Sequence, residues 1–198
     1  MSDLRQPEHD IDSLFVQRWS PRGFKPVTIE RSTLLQLFEA ARWAPSAYNA
    51  QPWRFIYSLR DSEQWPSFVE LLSEYNRAWA EHASALVLII SRKTFFQPDK
   101  QQTVDVKTHS FDAGAAWAHF ALQAYLKGWA THAIGGYDQK LARERLNIPD
   151  DYHLEAIIAV GQLGSAGHLS EALQAREKPT PRRPLAGFVA EGQFGFDD

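Results

Sequence analysis

The sequence predicts a sheet covered by helices on both faces. Three observations predict it. Segments with helical spacing and segments with alternating spacing interleave along the chain, with an excess of helix. The stretch Ala85–Ser91 is a nearly unbroken run of Leu and β-branched residues, the pattern of a central strand buried on both faces. Phe111–Lys127 is Ala-rich and reads as a core helix that ends at Gly128.

The remaining elements follow in order. Asp10–Arg18 carries Ile11, Leu14 and Phe15 at helical spacing, and Trp19-Ser20-Pro21-Arg22-Gly23-Phe24 breaks it. Thr28 is the expected cap of a second helix with Glu30 in its first turn. Leu34, Leu37, Phe38 and Ala41 form its buried stripe, and it stops before Pro45. Ala44–Pro52 is a loop of small and polar residues. In Trp53–Leu59 the residues Trp53, Phe55, Tyr57 and Leu59 alternate with Arg54, Ile56 and Ser58, which predicts a strand. Glu63–Glu81 is expected to be helical and Trp129–Ile134 to be a strand. Asp138 caps a short helix that ends before Pro149, Leu154–Leu163 is a strand, and Ser170–Arg176 is a short helix. After Lys178 the chain is Pro-rich and basic, then aromatic. It has no core of its own and is expected to dock on this domain or on a second subunit. We therefore expect a single domain over residues 1–198, with residues 1–9 as an N-terminal tail and 179–198 as a C-terminal arm.

Composition narrows the function. The 198 residues fit one compact domain. Apolar residues are 44% and charged residues 23%, as in ordinary soluble proteins. A net charge of −3 and the lack of a basic stripe disfavour a nucleic-acid partner. With no cysteine, disulfides, thiolate nucleophiles and Cys-ligated metals are excluded. The seven His form no H-x-x-x-H, H-x-H or H-E-x-x-H pattern, so no metal is expected. His119, on the Ala-rich helix, reads as a packed or hydrogen-bonded core residue. Residues 1–10 lack a basic stretch followed by an apolar run, and the longest apolar run, Ala83–Ile90, is too short to span a bilayer. A soluble, cytoplasmic protein without a membrane partner is the expectation. Aromatic residues reach 13%, with seven Trp, which can stack on planar ligands or, more commonly, fill a core.

Four segments carry chemistry. In Arg18-Trp19-Ser20-Pro21-Arg22, Pro21 biases Ser20 to extended backbone, so Arg18, Ser20 and Arg22 can share one face. Two guanidinium forks and a hydroxyl there suit a phosphate and a second oxygen; alone, the segment also reads as a surface turn. In Ala44–Trp53 small residues permit close backbone approach to a flat ligand, and Asn49 and Gln51 offer amide groups to a heterocycle edge. A plain connection is the other reading. Ala133–Asp138 places paired glycines before a capped helix, which exposes backbone N–H groups, but no G-x-G-x-x-G or Walker-type loop is present. Pro181-Arg182-Arg183-Pro184 is either a solvated basic tail or a second phosphate-binding arm.

Taken together, these segments resemble the nitroreductase family. Its early Arg-x-Ser-x-Arg/Lys-x-Phe element is matched by Arg18, Ser20, Arg22 and Phe24, and its A-P-S-x-x-N-x-Q-P-W loop is matched in full from Ala44 to Trp53. Asp112, Gly114 and Ala116 match its helix start, and Ile134–Asp138 its I-G-G-Φ-D turn. Leu146, Ile148 and Pro149 precede a strand ending in Val160-Gly161, and Arg183-Pro184-Leu185 matches its closing basic element. The matches run in order from Asp10 to Val189.

The resemblance implies an α+β fold, a three-layer α/β/α sandwich whose central, mostly antiparallel sheet is flanked by helices and whose C-terminal arm is exchanged in a homodimer. It implies FMN at the subunit interface, NADH or NADPH as reductant, and a small-molecule oxidant such as a nitroaromatic or quinone, reduced by a ping-pong route. By similarity Arg18 and Ser20, with Arg182 or Arg183, hold the FMN phosphate, and Trp19 lies between them. Arg22 sits near the pyrimidine ring and Asn76 bonds the ring edge. Pro45, Ser46, Ala47, Asn49 and Gln51 lie against the flavin, and Ile134, Gly135 and Gly136 form the turn facing flavin N5. The chemistry is centred on the flavin, so no acid–base catalytic residue is assigned. The chain departs from some relatives, with Trp79 where they carry a lysine and Gly135 where they carry a glutamate. Reduction of an enal or semialdehyde, an oxygen-using dehydrogenase, and a flavin-binding protein without turnover are the alternatives.

Overall fold

The computed structural model describes residues 5–196. In chain order the elements are α1 (Ser13–Gln17), α2 (Arg31–Arg42), β1 (Trp53–Leu59), α3 (Trp65–Glu70), α4 (Glu74–Ala80), β2 (Ala85–Arg92), β3 (Thr94–Gln97), β4 (Gln102–Asp105), α5 (His109–Leu126), β5 (Ala130–Ile134), α6 (Gln139–Arg145), β6 (Tyr152–Gly161) and α7 (Glu171–Gln174). Four strands form a sheet in the order β1-β2-β6-β5, and each neighbouring pair is antiparallel.

β2 explains the layering. Its side chains alternate between faces because the strand period is two. Leu86, Leu88 and Ile90 enter a core with Phe68, Leu71, Leu72 and Trp79 from the α3–α4 side. Ala85, Val87 and Ile89 enter a second core with Leu34, Leu37, Ala113, Ala116 and Phe120 from α2 and α5. The sheet thus has helices on both faces, the expected α+β sandwich. Each fully buried Leu, Ile or Val contributes about 1.5–3 kcal/mol, so neither face can be left open to water. The small residues Ala113, Ala116 and Ala124 let α5 sit close to the sheet.

Several elements differ from the sequence expectation. The first helix is shorter than Asp10–Arg18, because Asp12 accepts the N–H of Leu14 and starts the helix at Ser13. Thr28 does not cap α2. The chain turns just before it, where the N–H of Val27 bonds the carbonyl of Lys25 at 2.8 Å and the carbonyl of Val27 is held by the Ser84 hydroxyl at 2.6 Å, and Glu30 takes the cap position without a side-chain bond. Glu63–Glu81 divides into α3 and α4, because Leu72 leaves the helix to bridge Tyr137 and the N–H of Ser73 bonds the carbonyl of Gly136 at 3.2 Å. The β3–β4 hairpin lies in a region without turn glycines, and Gln101 (φ 51) supplies the left-handed residue instead. His119 is half-buried rather than in the core.

β6 carries a bulge. Ile89 faces Ala156 and Ile90 faces Leu154, which leaves Glu155 unpaired and turned toward the end of β2. There Ser91 and Ser110 both donate to Glu155, the latter at 2.8 Å, and His109 Nδ1 lies 2.7 Å from the Ser91 hydroxyl. The network ties β2, β6 and the start of α5 together.

The segment Gly23–Lys25 extends the far end of β6. Phe24 bridges Leu163, the N–H of Lys25 bonds the carbonyl of Gln162 at 2.9 Å, and the N–H of Gly164 bonds the carbonyl of Gly23 at 2.8 Å. Phe24 lies on Gly161, where a Cβ would stand 2.6 Å from the ring. The C-terminal arm runs over the N-terminal segment of the same chain, with the N–H of Leu185 bonded to Glu8 at 2.8 Å. Among the described residues no helix is long and apolar enough to cross a membrane. Gly161→Ala forces Phe24 off its seat and should cost about 1–3 kcal/mol, the usual range for overpacking. Urea unfolding of the purified variant measures it, and a native midpoint would contradict the close contact.

Candidate functional site

The site is built where residues 18–22 leave α1 and reach the end of β6. Arg18 closes α1 in extended backbone (φ −64, ψ 128). Arg18, Ser20 and Arg22 then line one cleft of about 350 Å³, as the spacing predicts, and Trp19, which the alternation does not place with them, lines it too. Arg5, Arg176, Lys178 and Arg182 face them from the two chain ends. Burial and then the neighbouring Arg182 push the Arg18 guanidinium below its ordinary value, and burial, Arg182 and Arg18 do the same to Arg5. Three guanidinium groups therefore crowd one another around the Ser20 hydroxyl, which Arg18 approaches at 3.4 Å. Guanidinium groups gathered in this way have the chemistry to bind an anionic oxygen.

The inner wall is aromatic. Trp79 is 1% exposed, packs on Phe24 with ring centroids 6.2 Å apart, and lies 4.7 Å from the His132 ring. The Arg22 guanidinium sits 5.8 Å from the indole centroid, and its Nε is buried without a partner. His132 Nδ1 lies 2.9 Å from the carbonyl of Pro21, so it donates there. Burial lowers the affinity of this imidazole for a proton and Arg22 adds to it, while the Pro21 carbonyl and Glu177 oppose them.

Asn76 links this wall to the double-glycine turn. Its Nδ2 donates to the carbonyl of Gly136 at 2.9 Å, and its Oδ1 accepts from Trp79 Nε1 at 3.3 Å. A Cβ on Gly136 would stand 2.6 Å from Asn76 Nδ2, so glycine is required there by close approach. Gly135 meets no such limit, and Ile134 points into the core at 3% exposure instead of facing the cleft. Beside the charged cleft lies a hollow of about 400 Å³, lined by Phe15, Trp117, Ala118, Leu122 and Ala133 and sharing Arg18, Ser20 and His132. The combined shape offers a cationic end and a flat apolar flank.

The loop Ala44–Trp53 is not brought to this cleft within one chain. The Ala47 N–H bonds buried Asp112 at 3.2 Å, near the start of α5. The Arg18 end is tied to the other end of α5, where Tyr125 donates to Gln17 at 2.7 Å. Asp112 and Tyr125 are roughly 20 Å apart along the helix at about 1.5 Å per residue. Pro45, Ser46, Ala47, Asn49 and Gln51 are thereby held away from Arg18 by the length of α5. Inside the loop the Gln51 N–H bonds Ser46 Oγ at 3.0 Å, and Tyr48, Asn49 and Gln51 all have positive φ (54, 52 and 47). Left-handed backbone in non-glycine residues costs about 1–3 kcal/mol and gathers at functional segments. Of the two tail arginines, Arg182 lines the cleft, whereas Arg183 turns away and lies 5.2 Å from the Phe188 ring.

Sequence reasoning passed over His132, Glu177, Arg5, Arg176 and Lys178. The usable signal was the run Arg176-Glu177-Lys178, an acid between two bases just before the basic arm.

A helix-covered antiparallel sheet, with a cationic cleft and an apolar hollow beside its edge strand, defines a class of α+β proteins. The chain belongs to one family of that class, the Nitroreductase family, whose model matches residues 15–162. It is similar to a crystal structure described as an oxidoreductase containing FMN, at 46% identity and a TM-score of 0.94, covering 98% of this chain and 97% of that one. It is 23% identical to the NADH dehydrogenase of Thermus thermophilus over 196 residues, covering 84% of this chain and 93% of that protein. An oxygen-insensitive NADPH nitroreductase of Helicobacter acinonychis is 35% identical over 81 residues, covering 40% of this chain and 38% of that protein.

The lowered His132 sets a pH dependence. The unfolded imidazole, near 6.5, takes up a proton before the folded one does, so stability is full above that value and declines as pH falls below it. His82, pushed down by burial and by His168 beside it, adds to the same window. The thermal midpoint should fall between about pH 7 and about pH 5. His132→Asn, which keeps a donor for Pro21, should flatten part of that fall, and an unaltered slope would refute the assignment.

Proposed function

We propose that this chain is an FMN-dependent oxidoreductase, which takes hydride from NADH or NADPH and reduces a small organic oxidant such as a nitroaromatic or a quinone. The observation that carries the reading is the crowding of Arg5, Arg18 and Arg182 around Ser20 beside an apolar shelf. A phosphate relieves the like-charge contacts, and a flat ring fits the shelf. The partnerless Nε of Arg22 is a further donor in want of an acceptor. Family membership and the similar FMN-containing structure support the same cofactor.

In this reading Arg18, Ser20 and Arg182 hold the phosphate, with Trp19 between them. Arg22 and Asn76 address the polar edge of the ring, and the turn Ile134-Gly135-Gly136 presents backbone to it. Bound FMN supplies a two-electron carrier between reductant and oxidant. Arg22 stabilises negative charge at the polar edge, in a wall kept dry by Trp79 and Phe24. Both substrates would stack in turn over the same face of the ring, which gives ping-pong kinetics. The relatives' names divide between NADH and NADPH, and we assign either as reductant.

Pro45, Ser46, Ala47, Asn49 and Gln51 complete the site from a second copy of the chain. The span of α5 keeps them from their own cleft, and a two-fold axis returns each loop to the partner's cleft. The exposed Phe15, Phe111, Leu126 and Phe188 supply apolar surface for that contact. Residues 1–198 form one domain of this cytoplasmic homodimer, with 1–9 as an N-terminal tail and 179–198 as a C-terminal arm that the Leu185–Glu8 bond holds on its own chain rather than exchanging it.

The purified protein should be yellow. Arg18→Ala with Arg22→Ala should weaken FMN at least about 100-fold, at about 1.5–3 kcal/mol for each bond to a charged group, with native far-UV circular dichroism. Unchanged flavin content in that double variant rejects the placement of the cofactor, and a native chain that stays colourless in excess FMN rejects the cofactor itself.

A further inference from the structure

The two walls of the cationic cleft come from opposite ends of the chain and meet at one carboxylate. Glu177 Oε1 accepts the backbone N–H groups of Arg22 and Gly23, both at 2.7 Å, across a sequence separation of 155 and 154 residues. Hydrogen bonds to a charged acceptor are the strong ones. The N–H donors belong to the arm that carries Arg18, Ser20 and Arg22. The acceptor is flanked by Arg176 and Lys178, which with Arg182 line the facing wall. The seat is tight, since a Cβ on Gly23 would meet Glu177 Oε1 at 3.3 Å and the Ser165 carbonyl at 3.1 Å. Residue 177 thereby holds the backbone from which Arg22 points at Trp79.

The same carboxylate carries charge into the site. Among the described residues Glu177 Oε2 is buried with no hydrogen-bond partner, as is Arg22 Nε. Its field reaches His132, where it favours the protonated ring. Negative charge thus sits behind the Arg22–His132 edge of the cleft.

We propose that Glu177 is a positioning residue with two effects: its oxygen clamps the phosphate-binding arm in place, and its charge lowers the reduction potential of the bound cofactor. The inference rests on the proposed FMN reading. The oxygen and the charge are separable, because glutamine keeps an oxygen that accepts both N–H bonds but is neutral.

The experiment compares native full-length protein with E177Q and E177A, using FMN titration of the stripped proteins and a dye-equilibrium measurement of the midpoint potential. E177A should bind FMN about 10-fold or more weakly. E177Q should stay within about 3-fold of native affinity, yet show a higher potential, equivalent to a several-fold rise in affinity for reduced over oxidised FMN. Native affinity in E177A, an E177Q as weak as E177A, or a native potential in E177Q overturns the proposal while leaving the cofactor reading intact. A native chain that binds no FMN sinks both.

Discussion

Everything around the cleft depends on Phe24 resting on the bare backbone of Gly161. With no Cβ beneath it, the ring lies flat enough for Lys25 and Gln162 to pair, and residues 23–25 become a short extension of β6. Trp79 packs on that ring, and from Trp79 the contacts run to Arg22, to His132 and, through its indole N–H, to Asn76 and the Gly136 turn. One aromatic insertion thereby sets the angle of the arginine arm and the position of the glycine turn, which are more than a hundred residues apart in the chain. Some nitroreductases carry a lysine where this chain has Trp79. Here the position supplies bulk and a single N–H donor, and positive charge in that wall falls to Arg22.

Against this rigid wall the cleft holds an imbalance. The whole chain is slightly acidic at −3, yet Arg5, Arg18, Arg22, Arg176, Lys178 and Arg182 gather on one hollow. Crowding like charges raises the free energy of the cleft, a cost that an anionic partner of the kind proposed would offset. The loop at Tyr48, Asn49 and Gln51 stores a second kind of tension in its left-handed backbone. Its hold on Asp112, a buried carboxylate also bonded by the Thr108 hydroxyl, keeps that shape. Both are local sacrifices of stability, offset by the two cores on either side of the sheet.

Much of this was legible in the sequence. β1 spans Trp53–Leu59 as expected, and the double-sided burial of β2 follows from its composition. Asp138 caps α6 as read. The grouping of Arg18, Ser20 and Arg22 on one side came from simple strand geometry after Pro21. What escaped depends on long-range contacts. The break between α3 and α4 is set by the pairing of Leu72 with Tyr137, and no local signal marks it. His132 looks like any polar residue on an edge strand until Pro21 and Trp79 close on it. Glu177 is one acid among many until its partners, Arg22 and Gly23, arrive from the other end. That Arg182 lines the cleft while Arg183 lies on Phe188 is likewise a matter of packing that no local signal marks.

The strand order has a consequence for biosynthesis. β2 sits between β1, which precedes it, and β6, which ends roughly 70 residues later. On a ribosome adding about 5–20 residues per second, the most water-averse strand of the molecule waits several seconds with one edge bare. Such a stretch is a template for adhesion between nascent chains. Its flanks, Ser84 on one side and Arg92-Lys93 on the other, place a hydroxyl and two positive charges where a neighbouring copy would dock. How well a cell produces this protein is therefore decided less by its finished stability than by how well β2 is guarded before β6 exists.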